Sequence, residues 1–126
     1  MKSQLSPALK TTFLVHFIGA GLFGLGFLLI PTQLGNIFGL TITDTYAWRL
    51  IGAAMLGIAS TSWLAYQATT WESVRIVLVL EMVWPILAAL VILSALLFGG
   101  FPALGWILFA IMAIFAALFC YFYFRK

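Results

Sequence analysis

The sequence predicts an all-α integral membrane bundle of four transmembrane helices, and three observations lead to this prediction. Hydrophobic residues make up 65% of the 126 residues and charged residues only 7%, whereas soluble domains carry about 25% charged residues. Mean hydropathy is +1.20. The apolar residues form four runs, each near the roughly 20 residues that a helix needs to cross a bilayer. Since unpaired backbone groups are costly in lipid, such runs must be helical.

We expect one domain over residues 1–126, with helices near 9–30, 46–66, 73–98 and 103–124. The short turns at 67–72 and 99–102 place successive helices antiparallel, which predicts an up-down-up-down order. The longer linker, 31–45, mixes apolar residues with glycines. It is either a short amphipathic segment lying in the membrane interface or an irregular surface loop. Thr43 or Asp44 then caps the second helix.

The cationic residues predict the orientation of the chain. All but one lie on the side of the N-terminus: Lys2, Lys10, Arg75, Arg125 and Lys126, with Arg49 alone on the opposite side. Cytoplasmic loops are enriched in Lys and Arg, so we expect a multi-pass protein of the plasma (inner) membrane with both termini in the cytoplasm. Because these cations mark helix ends and form no patch, the net charge of +3 does not indicate nucleic-acid binding.

Catalytic and metal-binding signatures do not stand out in the sequence. The lone cysteine, Cys120, excludes an intramolecular disulfide and a relay through paired cysteines. The sequence carries no complete metal site and assigns no cofactor.

Glu81 is the residue with the strongest functional signal, since ionisable side chains within the bilayer are costly and are functional hypotheses by default. It lies about 12 Å from the start of its helix at 1.5 Å per residue. Pro85, four residues later, has no N–H and frees the Glu81 carbonyl, which predicts a helix kink. Two interpretations stay open: a proton, cation or ligand site, or a protonated or paired Glu beside an ordinary kink.

His16 lies at a comparable depth on the first helix, so it is expected to meet Glu81 in the interior. It either hydrogen-bonds to Glu81 or to a hydroxyl on the second helix, or it is a haem or chlorin ligand. Similar depth extends the predicted polar cluster to five side chains: Glu81, His16, Ser60, Ser62 and Tyr121.

Two other features of the second helix stand out. Arg49 lies near the outer end, where Asp44 is its expected partner in a charge pair. Ala53, Gly57 and Ser60 recur at spacings of four and three, which is one helical face. Small residues let helices approach closely in lipid, so this face packs either within the chain or against a partner subunit.

Several short runs resemble a known family. They are a His-containing first helix with Phe-Gly-Leu-Gly at 23–26 and Ile-Pro at 30–31, Ile-Phe-Gly-Leu at 37–40, Arg-Leu-Ile-Gly-Ala-Ala at 49–54, and Gly-Trp at 105–106. In these the chain resembles small bacterial membrane proteins of the DoxX-like type. That resemblance implies four helices, little agreed function and no catalytic residue. The run from Glu81 to Pro85 is not part of it.

Three functions remain open at this point. The first is a non-enzymatic accessory or structural subunit of a larger membrane complex, with lipid, other membrane subunits or a second copy as partners. The second is a small transporter or ion-conducting protein that uses Glu81 and His16. The third is a quinone-linked redox membrane protein.

Overall fold

Helices make up nearly all of the structure, a computed structural model that describes residues 5–125. They are α1 (Pro7–Leu29), α2 (Pro31–Ile37), α3 (Thr45–Gln67), α4 (Trp71–Phe98) and α5 (Gly105–Arg125). The described residues contain no β-sheet, which confirms the all-α class. The linker after α1 contains the seven-residue helix α2; its place in the membrane interface stays a prediction.

Local chemistry sets where the first helices begin and end. The Ser6 hydroxyl accepts a hydrogen bond from the Leu9 N–H, 3.1 Å away, at the start of α1. Pro31 has no N–H to continue the helical ladder, so α1 ends at Leu29 and α2 begins anew. Asp44 caps α3 by accepting from the Ala47 N–H at 3.1 Å, as the sequence indicates.

Three of the long helices, α1, α4 and α5, are long and apolar enough to cross a membrane. The chain is therefore a membrane protein by length and composition. Helix α3 equals α1 in length, 23 residues, but it is less apolar because Arg49 and the run of hydroxyl residues at 60–62 interrupt it.

The long helices form two closely packed pairs, α1 with α3 and α4 with α5. Lys10 contacts Tyr66, while Phe27 packs on Trp48, so residue numbers rise along α1 as they fall along α3. These two helices are therefore antiparallel. The two pairs touch through α3 with α4 and α1 with α5, which gives the cyclic order α1, α3, α4, α5.

Helices α1 and α3 approach each other closely where Gly24 faces Gly52. A Cβ on Gly52 would lie 2.5 Å from the Leu28 nitrogen and 2.7 Å from the Gly24 carbonyl oxygen. Only glycine fits here, since any side chain would collide with the backbone of α1.

A compact apolar cluster lies at one end of the molecule, which we call the Lys10 end, where α1 and α4 begin. Its fully buried members include Phe13, Leu78 and Phe119. The remaining surface is covered with exposed apolar side chains, among them Leu50, Ile76 and Phe98. A surface of this kind indicates contact with lipid.

A buried His-Ser-Glu cluster as the candidate functional site

The candidate site is a group of three polar side chains that come from three helices: His16 on α1, Ser62 on α3 and Glu81 on α4. Each lies on the buried seam of its helix. On α4 that seam runs through Trp71, Val74, Leu78, Glu81 and Pro85, at alternating spacings of three and four. Because residues at this spacing share one face of a helix, Glu81 must point into the protein.

The three side chains are within hydrogen-bonding distance of one another. The Ser62 hydroxyl donates to Oε1 of Glu81 at 2.9 Å, and its oxygen also lies 2.9 Å from Nδ1 of His16. Nδ1 is 2.6 Å from Oε2 of Glu81. The same hydroxyl also lies 3.1 Å from the Ile58 carbonyl oxygen, and since a hydroxyl has only one hydrogen it donates to one of the two oxygens at a time.

The contact between Nδ1 and Oε2 has the distance of an ion pair but not the direction of a hydrogen bond. Oε2 has no well-directed donor among residues 5–125, although Nδ1 lies so close. We take the short distance as the decisive fact, since two lone pairs facing each other across it would repel. A hydrogen must therefore lie between the two atoms, on Nδ1 or on Oε2.

Burial makes this cluster unusual in an otherwise apolar protein. Glu81 and Ser62 are fully buried, and His16 is 3% exposed. Glu81 lies ten residues after Trp71, about 15 Å along the helix axis. A buried carboxyl group is tolerated when it is paired and hydrogen-bonded, and His16 and Ser62 supply both kinds of partner.

The fourth long helix closes the site with aromatic rings. Phe115 and Phe119 of α5 meet the His16 imidazole edge to face, with ring centroids 4.7 and 5.4 Å away. These phenylalanines were not among the predicted site residues. Their spacing of four along α5 marks one helical face, but the sequence does not tell which face of α5 points inward.

Two members of the predicted five-residue cluster lie elsewhere. Ser60 is exposed and donates to the Leu56 carbonyl of its own helix. Tyr121 is 51% exposed, with the Arg125 guanidinium over its ring. Successive residues turn by about 100° around a helix, so a step of two reaches the opposite side. Ser62 and Phe119 therefore occupy the inward positions, and the structure differs from the expectation at Ser60 and Tyr121.

The expected charge pair of Arg49 and Asp44 is also not formed, since the described residues contain no ion pair between them. Arg49 donates from Nη1 to the Leu28 carbonyl at 2.5 Å, while Asp44 caps α3. The carbonyls in the last turn of a helix lack backbone partners, and the break at Pro31 leaves the end of α1 in that condition. Arg49 thus supplies a hydrogen-bond donor to the end of α1.

Pro85 is fully buried one turn beyond Glu81, and α4 continues through it to Phe98. The predicted kink stays a prediction. Because proline lacks an N–H, the Glu81 carbonyl has no donor at the usual position four residues ahead. Polar atoms of both the Glu81 side chain and its backbone thus lie at this level of α4.

The described residues contain no group of three or more His, Cys, Asp or Glu side chains that could hold a metal ion. For His16, whose imidazole packs against Phe115 and Phe119, the alternative of a haem or chlorin ligand stays a prediction.

Comparison with known proteins adds no relative to this description: the chain matches no family model, no curated protein and no solved structure.

Proposed function

We propose that the protein is a non-enzymatic subunit of a larger membrane complex, inserted in the plasma membrane by four helices with both termini in the cytoplasm. Helix α3 is the fourth span in this proposal. It runs beside α1 from Tyr66, at Lys10, to Trp48, at Phe27, so it shares the depth of α1 in the membrane. The DoxX-like resemblance agrees with four spans and is itself part of the proposal.

The orientation in this proposal rests on the distribution of charge. Lys10 and Arg75 lie near the starts of α1 and α4, and Arg125 ends α5. At the opposite end, the Arg49 guanidinium is hydrogen-bonded to the Leu28 carbonyl. An excess of cations at one end favours its placement in the cytoplasm.

One observation carries the proposal of a subunit: the small-residue stripe of α3, Ala53, Gly57 and Ser60, faces outward. All three are exposed, and a Cβ on Gly57 would meet no atom within 4 Å. The face that α3 turns to its own chain is a different one, through Gly52, Met55, Ala59 and Ser62. A stripe of small residues that the chain does not use itself lets a helix of another subunit approach closely.

The test is purification from native membranes in mild detergent, with mass spectrometry of what accompanies the protein. We expect a stoichiometric partner or a second copy, and we expect Gly57→Leu to lose it because the added side chain blocks the close approach. Gly21→Leu is the matched control, since Gly21 also has no atom within 4 Å of a Cβ but lies on α1. A wild-type protein that elutes alone, or equal retention in the two variants, would contradict the proposal.

A second candidate, a small proton-coupled transporter, is favoured by the position of the buried cluster between the helix pairs. His16 and Ser62 belong to the α1/α3 pair, and Glu81 belongs to the α4/α5 pair. Any separation of the pairs would break the contact between His16 and Glu81. Intramembrane acid–base pairs of this kind occur in proton relays of pumps and transporters.

Flux measurements in liposomes test this candidate. Glu81→Gln keeps the size of the side chain but removes its ionisable group, so proton-coupled flux should be lost. Glu72→Gln is the control, because Glu72 is an exposed carboxylate in the first turn of the same helix. Unchanged flux in Glu81→Gln would rule out a transport role for Glu81. The quinone-linked alternative gains no specific support from the arrangement of the site and stays a prediction.

A further inference from the structure

A cavity of about 260 Å³ opens at the Lys10 end, away from the buried cluster. It lies between the first turn of α1 and the connection from α3 to α4. Its lining residues are Leu5, Lys10, Ala68 and Thr69. The walls therefore combine two apolar side chains with one hydroxyl and one ammonium group.

The charge of this cavity is positive. Lys10 is half-buried, and its ammonium lies 5.7 Å from the centroid of the Tyr66 ring. That contact holds the cation at the cavity by a cation–π interaction. No carboxylate of the described residues lies within ion-pair distance of Lys10, and none lines the cavity.

The start of α4 lies beside the cavity but does not line it. Helix α4 begins at Trp71, next to the cavity residue Thr69, and no side chain caps its first amide groups. The hydroxyl of Thr70 bonds instead to that of Ser73, at 2.6 Å. The Ser73 N–H bonds to the Thr70 carbonyl at 3.2 Å, and the Glu72 carboxylate lies in the same turn, so we assign the positive charge of the cavity to the ammonium group alone.

The surroundings indicate the boundary between lipid and water. Trp71 packs against Tyr123 beside the end of α5, and Tyr66 lies near the end of α3. Tryptophan and tyrosine are enriched at the level of the lipid headgroups. The cavity thus lies at the level where α1 begins and α3 ends, with Leu5 and Ala68 as its apolar walls.

We propose that this cavity binds the phosphate headgroup of an anionic phospholipid, with Lys10 as its cationic contact. Thr69 is the hydroxyl donor, and Leu5 and Ala68 form the apolar walls beside the headgroup. The proposal rests on insertion in a membrane and does not depend on a partner subunit or on transport.

Native mass spectrometry of the full-length protein, delipidated and then offered lipid in detergent, tests the proposal. The wild-type protein should retain one phosphatidylglycerol in preference to phosphatidylcholine. Lys10→Gln should lower this retention about fivefold, the effect of one Lys near a membrane surface. Arg75→Gln is the matched control, because it removes one exposed positive charge from the start of α4 without touching the cavity, and it should retain the lipid.

Ala68→Leu separates the shape of the cavity from its charge. It fills the cavity without changing a charge, so it should also lower retention, while Lys10→Arg should preserve it. Equal losses in Lys10→Gln and Arg75→Gln, or equal retention of the two lipids, would overturn the proposal. So would displacement of the lipid by millimolar inorganic phosphate, since the site would then bind a soluble anion.

Discussion

Glu81 and Arg49 are both ionisable residues within membrane-spanning or adjoining helices, yet their surroundings differ. Glu81 is fully buried and meets two side chains from other helices, His16 and Ser62. Arg49 is half-buried and meets a backbone carbonyl, that of Leu28 at the end of α1. The Glu81 carboxyl group thus lies in a cluster of side chains, and the Arg49 guanidinium donates to the backbone at a helix end.

The length and chemistry of the two side chains account for this difference. A glutamate side chain is short, so deep in the protein it needs polar partners that neighbouring helices bring to it. An arginine is long and donates only, so it can reach out to a carbonyl that lacks a backbone partner. The cluster around Glu81 therefore depends on contacts between both helix pairs, whereas the hydrogen bond of Arg49 depends on α1 and α3 alone.

The largest loss of stability is expected when one residue of the His16–Ser62–Glu81 cluster is removed and its partners stay. Glu81→Ala removes the carboxylate and leaves His16 and Ser62 without their partner, which should lower the free energy of unfolding by about 3–5 kcal/mol. The double variant His16→Leu with Glu81→Leu removes both ionisable groups and should lose much less, because apolar replacements of a buried pair are often neutral. Unfolding by SDS titration in bicelles measures both. A double variant as unstable as Glu81→Ala would contradict this account.

Removing the charge of Arg49 should lower the free energy of unfolding by less than removing Glu81 does. Arg49→Met keeps much of the apolar stem but removes the charged hydrogen bond to the Leu28 carbonyl, and it should lower the free energy of unfolding by about 1.5–3 kcal/mol. The same titration gives the value. If Arg49 instead snorkels to water without a structural role, the variant will match the wild-type protein.

Gly52→Ala tests the close approach that brings α3 to the backbone of Leu28. The added Cβ would collide with the Leu28 nitrogen and the Gly24 carbonyl, so we expect a loss of about 1–3 kcal/mol, the usual range for overpacking. Gly57→Ala is the control on the same helix, where the Cβ meets open space. It should be neutral or stabilising by up to about 1 kcal/mol, because alanine favours a helix. Equal effects at the two positions would show that the approach is not tight.

The smallest effect is expected from Asp44. Asp44→Ala removes the cap of α3 and should cost about 1 kcal/mol, while Asp44→Asn should keep most of it. Combining Asp44→Ala with Arg49→Met should give additive losses to within about 0.5 kcal/mol, because the two side chains are not paired. A larger coupling in this double-mutant cycle would restore the charge pair that the sequence predicts.

The sequence predicts the all-α class correctly because hydropathy alone excludes a soluble fold. The distance of each residue from the end of its helix also indicates that His16, Ser62 and Glu81 could form one cluster. The sequence did not predict which faces of α3 and α5 point inward, and Ser60 and Tyr121 lie outside the cluster. Helix α3 has small residues on both sides, so the stripe through Gly57 and the one through Gly52 are equally plausible in the sequence, and only the second packs on α1.

By itself, the sequence determined the four long helices, their apolar character and the position of each polar residue along its helix, because these follow from composition and from the fixed rise of a helix. Only the tertiary structure decided which way each helix faces. Rotation about a helix axis depends on the contacts of all its neighbours at once. The Gly24–Gly52 approach fixes α3 against α1, and that contact turns Ser62 toward Glu81 and leaves Ser60 and Gly57 outside.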